Sequence, residues 1–168
     1  MSRRYSQSTK KLHRESCHIL CRRNSRRFGG DVLMGCVPFD IAKNLIIVNM
    51  AIEGLDGEEL RILPVALDTG ASFTIIPWDI AISLGYDPAR VTRRRRIITG
   101  SGVEYAPVIT VRKLTAIGES IANIEVLCHD LPEDSKVDGL LGLNFLRHFD
   151  IDISFSKGTV DIRPKKTE

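Results

Sequence analysis

The sequence predicts a mainly β fold: a small closed barrel of short strands with one or two short helices. Three observations lead there. Short runs rich in Ile, Val, Leu and Thr recur at close spacing from residue 45 to residue 162. Glycine-bearing or polar turns separate them, as in sheets that close on themselves. Only two brief segments carry helix signals, and no longer internal repeat is visible.

Each element has a local reason. Residues 45–52 (LIIVNMAI) form an uncharged, β-branched run. A turn at 54–57 holds two glycines and returns the chain into a strand over 60–67. Asp68-Thr69-Gly70-Ala71-Ser72 then interrupts the sheet, which resumes over 73–76. Pro77 opens a short helix over 78–84, and Gly85 stops it. Residues 97–99 and 103–111 form the arms of a hairpin whose tip is Gly100-Ser101-Gly102. Further strands over 114–116 and 121–127 flank Gly118. An apolar run with two glycines covers 137–143, and a brief helix follows over 144–148. Strands 151–155 and 159–162 close the chain as a hairpin turning at Ser156-Lys157-Gly158.

The 168 residues suit one domain plus an extension. With 43% hydrophobic and 27% charged residues the balance is that of a globular chain. The uncharged run at 45–52 is far shorter than the roughly eighteen residues of a membrane span. No membrane association is therefore expected, and no apolar leader segment follows the basic N-terminus. Cys17, Cys21, Cys36 and Cys128 lack the spacing of a disulfide framework and read as reduced thiols of a cytoplasmic protein.

Charge divides the chain. Residues 1–30 hold nine Lys or Arg and one Glu, while the remainder holds 15 basic and 20 acidic residues, so an arm of +8 precedes a body of −5. The arm is too poor in apolar residues to offset the cost of ordering, so residues 1–38 are expected to be a solvated, disordered arm. The folded domain is expected over 39–164, with a short tail over 165–168. His13, Cys17, His18 and Cys21 lie within the arm, but no second ligand pair follows them, so no metal site is expected. Nucleic acid is not an expected partner of the body; only the arm offers it a surface.

Asp68 poses the chemical question, because a carboxylate here ends a hydrophobic strand. One carboxylate alone is a poor hydrolytic device. Two held together share one proton, so that one activates water while the other donates to a substrate carbonyl. The chain has no second Asp-Thr-Gly, so the simplest source of a partner is a second copy across a two-fold axis.

Three features occur in order. Asp68-Thr69-Gly70-Ala71-Ser72 follows an apolar strand; a glycine-tipped hairpin comes about thirty residues later; and Gly139-Leu140-Leu141-Gly142-Leu143-Asn144-Phe145-Leu146 lies near the end. Together they resemble the retropepsin-like aspartic proteases, the single-domain cellular and bacterial members most closely, over residues 40–163. The resemblance implies the acid-protease barrel, a homodimer, and endopeptidase action on an extended peptide, with no cofactor. It implies Asp68 as the catalytic aspartate, one per subunit, and Thr69 as a bond across the two-fold axis. Gly70 would allow close approach of substrate, with Ala71 and Ser72 completing the loop. Residues 97–108 would be the flap, with Thr99, Gly100, Ser101 and Gly102 at its tip against the substrate. Gly139, Leu140, Leu141 and Gly142 would support the catalytic loop. Leu143 departs from the family, since many retroviral members carry arginine there. For the dimer clamp only the strand over 159–162 clearly offers itself.

Two other readings stand beside this one. The same fold could be a dimeric module that grips extended peptides without cutting them. Alternatively, the basic arm could bind nucleic acid, with the β domain serving only to dimerise it. The run Arg93-Arg94-Arg95-Arg96 entering the flap reads either as a solvated strand edge or as a contact for acidic substrate residues.

Overall fold

A computed structural model describes residues 35–99 and 102–165. The stretch before residue 35, with its His and Cys cluster, lies outside the described residues, and so do Gly100 and Ser101. The chain forms ten strands and two short helices among the described residues.

Strands β1 (Gly35–Pro38), β2 (Ile47–Glu53), β3 (Leu60–Leu67) and β4 (Ile75–Ile76) lead into helix α1 (Trp78–Ser83). Strands β5 (Arg94–Thr99), β6 (Gly102–Ala116), β7 (Glu119–Cys128) and β8 (Gly139–Leu141) follow. Helix α2 (Leu143–Leu146) and strands β9 (Phe149–Ser154) and β10 (Thr159–Pro164) end the chain.

Six strands close a barrel in the order β2-β3-β8-β4-β7-β6, because β6 turns back to pair with β2 through Met50↔Ala116. The fold class is therefore the mainly β closed barrel that the strand spacing predicts. β5 pairs only with β6 and extends the sheet beyond the barrel. A separate sheet, β1-β10-β9, packs its inner side on the barrel core. Period-two alternation explains the core. Val48, Met50 and Ile52 of β2 point inward, as do Val65 of β3, Ile109 and Val111 of β6, and Val126 and Cys128 of β7; beyond Arg112 and Lys113 the buried set of β6 shifts by one residue to Leu114 and Ala116. Phe145 and Leu146 of α2 are buried in the same core.

Four expectations shift. A strand the sequence did not announce, β1, lies at Gly35–Pro38, within the stretch expected to be arm, because it pairs with β10 (Gly35↔Ile162), a partner far along the chain. Residues 114–116 are not a separate strand. β6 runs unbroken through them, with Arg112 and Lys113 exposed and Val111 and Leu114 buried. Its turn to β7 is Ile117-Gly118, both at positive φ (52° and 83°), between the paired residues Ala116 and Glu119. Strand β4 holds only Ile75–Ile76, since the Thr74 N–H is taken by a side chain. The last helix begins at Leu143 rather than Asn144 and ends at Leu146.

Candidate active site

Asp68 directly follows β3, where the strand leaves the barrel. Its backbone N–H donates to the Leu141 carbonyl at 3.0 Å, so the parallel ladder of β3 and β8 holds the residue at its exit. The chain then turns so that the N–H groups of Gly70 and Ala71 donate to Asp68 Oδ1, at 2.8 and 3.2 Å. These two bonds fix the direction of the carboxylate, which stays partly open to solvent. A side chain on Gly70 would place its first carbon 3.2 Å from that same oxygen, so glycine keeps the face of the carboxylate clear. Thr69 and Ser72 lie exposed at the loop surface.

The loop is braced from behind by residues some seventy positions later. The Leu143 N–H donates to the Ala71 carbonyl at 2.8 Å, and the Asn144 N–H to the Ser72 carbonyl at 3.2 Å. Gly142 lies so close to the loop that a Cβ there would stand 2.4 Å from the Phe73 carbonyl carbon. Gly139 is equally confined, 2.4 Å from the Ile75 carbonyl oxygen. Leu140 pairs with Ala66 on one side and Ile75 on the other, which threads β8 between β3 and β4. Gly139, Leu140, Leu141 and Gly142 thus lie directly behind the Asp68 loop.

Two further residues complete the brace, and their roles were not read from the sequence. Thr74 is fully buried. Its N–H and hydroxyl both donate to Asn144 Oδ1, at 2.7 and 3.0 Å, and its hydroxyl oxygen accepts from the Gly142 N–H at 3.1 Å. Asn144 Nδ2 donates onward to the Glu125 carbonyl at 2.6 Å. One amide side chain therefore ties the segment after the Asp68 loop, the turn after β8 and strand β7 together. The available signal was a hydroxyl inside an apolar run, since a polar group buried there must find partners.

β5 and β6 form the expected hairpin, in register from Arg94↔Pro107 to Thr99↔Gly102. Gly100 and Ser101, expected at its tip, lie outside the described residues. Gly102 has φ 131°, and no atom lies within 4 Å of where its Cβ would be. Below the tip a second, smaller hydrophobic cluster joins hairpin and loop. Ala106, Val108 and Leu127 are buried there, with Phe73, Ile75 and Ile97 packed against them. No group of His, Cys, Asp or Glu among the described residues could hold a metal ion. No described helix is long and apolar enough to cross a membrane.

A mainly β barrel with a short carboxylate loop at one strand exit and a hairpin extending beyond it is the architecture of the retropepsin-like fold. A retropepsin-like aspartic protease from Rickettsia conorii shares it with a TM-score of 0.60 and 20% sequence identity, over 83% of this chain and 97% of that one. At that identity the likeness speaks for the fold. The aspartyl protease family model matches residues 49–145, more than half of the sequence, and the chain belongs to that family. No curated protein matches the sequence.

Proposed function

We propose that the chain is an aspartic endopeptidase that works as a homodimer, each subunit contributing one Asp68 to a shared pair. The observation that carries this reading is the Asp68 carboxylate, aimed by the Gly70 and Ala71 N–H groups and left accessible at the barrel mouth. The chain holds a single Asp-Thr-Gly, so a second copy must supply the partner carboxylate. With one proton between them, one Asp68 takes a proton from the attacking water. The other gives its proton to the carbonyl oxygen of the scissile peptide bond. Collapse of the tetrahedral intermediate returns a proton to the leaving amine, and neither metal nor covalent intermediate is required. Thr69 would bond across the two-fold axis. The β5–β6 hairpin, including Thr99, Gly100, Ser101 and Gly102, would close over an extended peptide and exclude water.

The test is cleavage of a mixed peptide library by the full-length chain, with Asp68→Asn beside it. The amide has nearly the shape of the carboxylate but cannot act as a base. Hydrolysis is expected to vanish in the variant while its circular dichroism and sedimentation stay unchanged. Wild-type rates from Asp68→Asn would remove the assignment.

A further inference from the structure

The four arginines that enter the flap are not equivalent. Alternation along β5 sends Arg94 and Arg96 to one face and Arg93, Arg95 and Ile97 to the other. On the first face the Arg94 side chain donates to the Tyr105 carbonyl at 3.4 Å, and Arg96 lies opposite Tyr105. On the second face Arg93 is ion-paired with Glu125, whose carbonyl holds Asn144. Arg95 sits beside the small hydrophobic cluster under the hairpin. Its guanidinium lies over the Phe73 ring, 5.0 Å from the centroid, and makes no ion pair among the described residues. Phe73 is the residue that follows the Asp68-Thr69-Gly70-Ala71-Ser72 loop.

A guanidinium resting on a ring uses its flat face and leaves its N–H donors in the plane free. The ring also limits the positions of an otherwise mobile side chain, so less freedom is lost when a ligand binds. Arg95 thus presents an oriented, unneutralised cation between the flap hairpin and the catalytic loop. Edge protection would be served by Arg94 and Arg96 alone. It does not account for a cation stacked on Phe73, beside the Asp68 loop, that has no carboxylate partner among the described residues.

We infer that Arg95 is a specificity residue that selects peptide substrates bearing an Asp or Glu side chain close to the cleaved bond. The inference rests on the proposed protease reading. It adds that the missing carboxylate partner of Arg95 arrives with the substrate, in a charge-assisted, bidentate contact. In a symmetric dimer two copies of Arg95 would flank the site, so acidic residues are expected at equivalent distances on both sides of the cut.

The test compares cleavage of one mixed peptide library by wild type, Arg95→Gln, Arg95→Glu and, as an outward-facing control, Arg96→Gln. Wild type is expected to favour Asp or Glu over their amides at two subsites placed symmetrically about the cut, by about tenfold at each, the worth of one charge-assisted hydrogen bond. Arg95→Gln should abolish that preference, Arg95→Glu should turn it toward Lys and Arg, and Arg96→Gln should keep it. Cleavage by wild type with no acidic preference, or with one unchanged in Arg95→Gln, overturns the inference and leaves the protease reading standing. If wild type cleaves nothing, the protease reading falls, and peptides retained from the same library by the immobilised chain decide the role of Arg95. Acid-rich retention that Arg95→Gln loses supports it; any other retention pattern, or none, overturns it.

Discussion

Cys128 is fully buried on β7, and its thiol is pushed from the ordinary 9.0 up to about 12, chiefly by burial and then by the nearby Asp130 carboxylate. The folded chain therefore keeps a proton that the unfolded chain loses. Stability is whole below pH 9.0 and declines as pH rises toward about 12. Tyr86 acts in the same sense above pH 10.0, since burial raises its phenol too. Cys128→Ala is expected to flatten part of that alkaline decline, which urea midpoints measured from neutral pH upward would show. The same burial should leave Cys128 unmodified by iodoacetamide in the native state, while mass spectrometry finds it labelled after unfolding. At this scale the turn at Asp68 was legible in the sequence but not what braces it. Asp68 and Gly70 interact within a few positions, so their order announces them. Thr74 and Asn144 meet across seventy positions, and no local pattern pairs them.

Helix α2 and strand β8 form a clamp on the Asp68 loop, and Asn144 is its most connected side chain. Asn144→Ala would leave the Thr74 N–H and hydroxyl and the Glu125 carbonyl without this partner. Buried groups stripped of their bonds cost about 1–3 kcal/mol, and several are involved, so a loss near the top of that range is expected. Asn144→Asp keeps the acceptor for Thr74 but loses the donor to Glu125 and adds charge, so it should recover stability only in part. Denaturant unfolding of both variants checks the order. Elements bounded by glycine turns were readable in advance: the 54–57 turn, Gly85 after α1 and the turn at Gly118 all fall where expected, with Gly57, Gly85 and Gly118 all at positive φ. β1 escaped notice because Gly35-Cys36-Val37-Pro38 has no alternating pattern of its own and becomes a strand only against β10. The continuity of β6 was missed because Arg112 and Lys113, exposed in succession, interrupt its alternation, whereas its pairing with β7 runs on from Val111 to Lys113.

For the whole molecule, the closed barrel was legible and the assembly is the open expectation. If each subunit supplies half of a carboxylate pair, specific activity should fall as the protein is diluted. It should recover on concentration with the same dependence that sedimentation gives for the dimer fraction. An active species that sediments as a monomer throughout would replace the shared pair with a different source of chemistry.

The threading of β8 between β3 and β4 bears on the order in which the molecule folds. Hairpins such as β6–β7 join neighbours in sequence and close at small entropic cost. The ladder from Val65↔Gly139 to Leu67↔Leu141 joins segments far apart, and contacts of that kind slow folding. The carboxylate loop is therefore held in place only when the late, long-range step is complete. Pulse-labelled hydrogen exchange during refolding is expected to protect the amides of β6 and β7 first and those of Asp68, Leu143 and Asn144 last. A chain still being synthesised would carry its aspartate without the backing that aims it until residues 139–146 had been made.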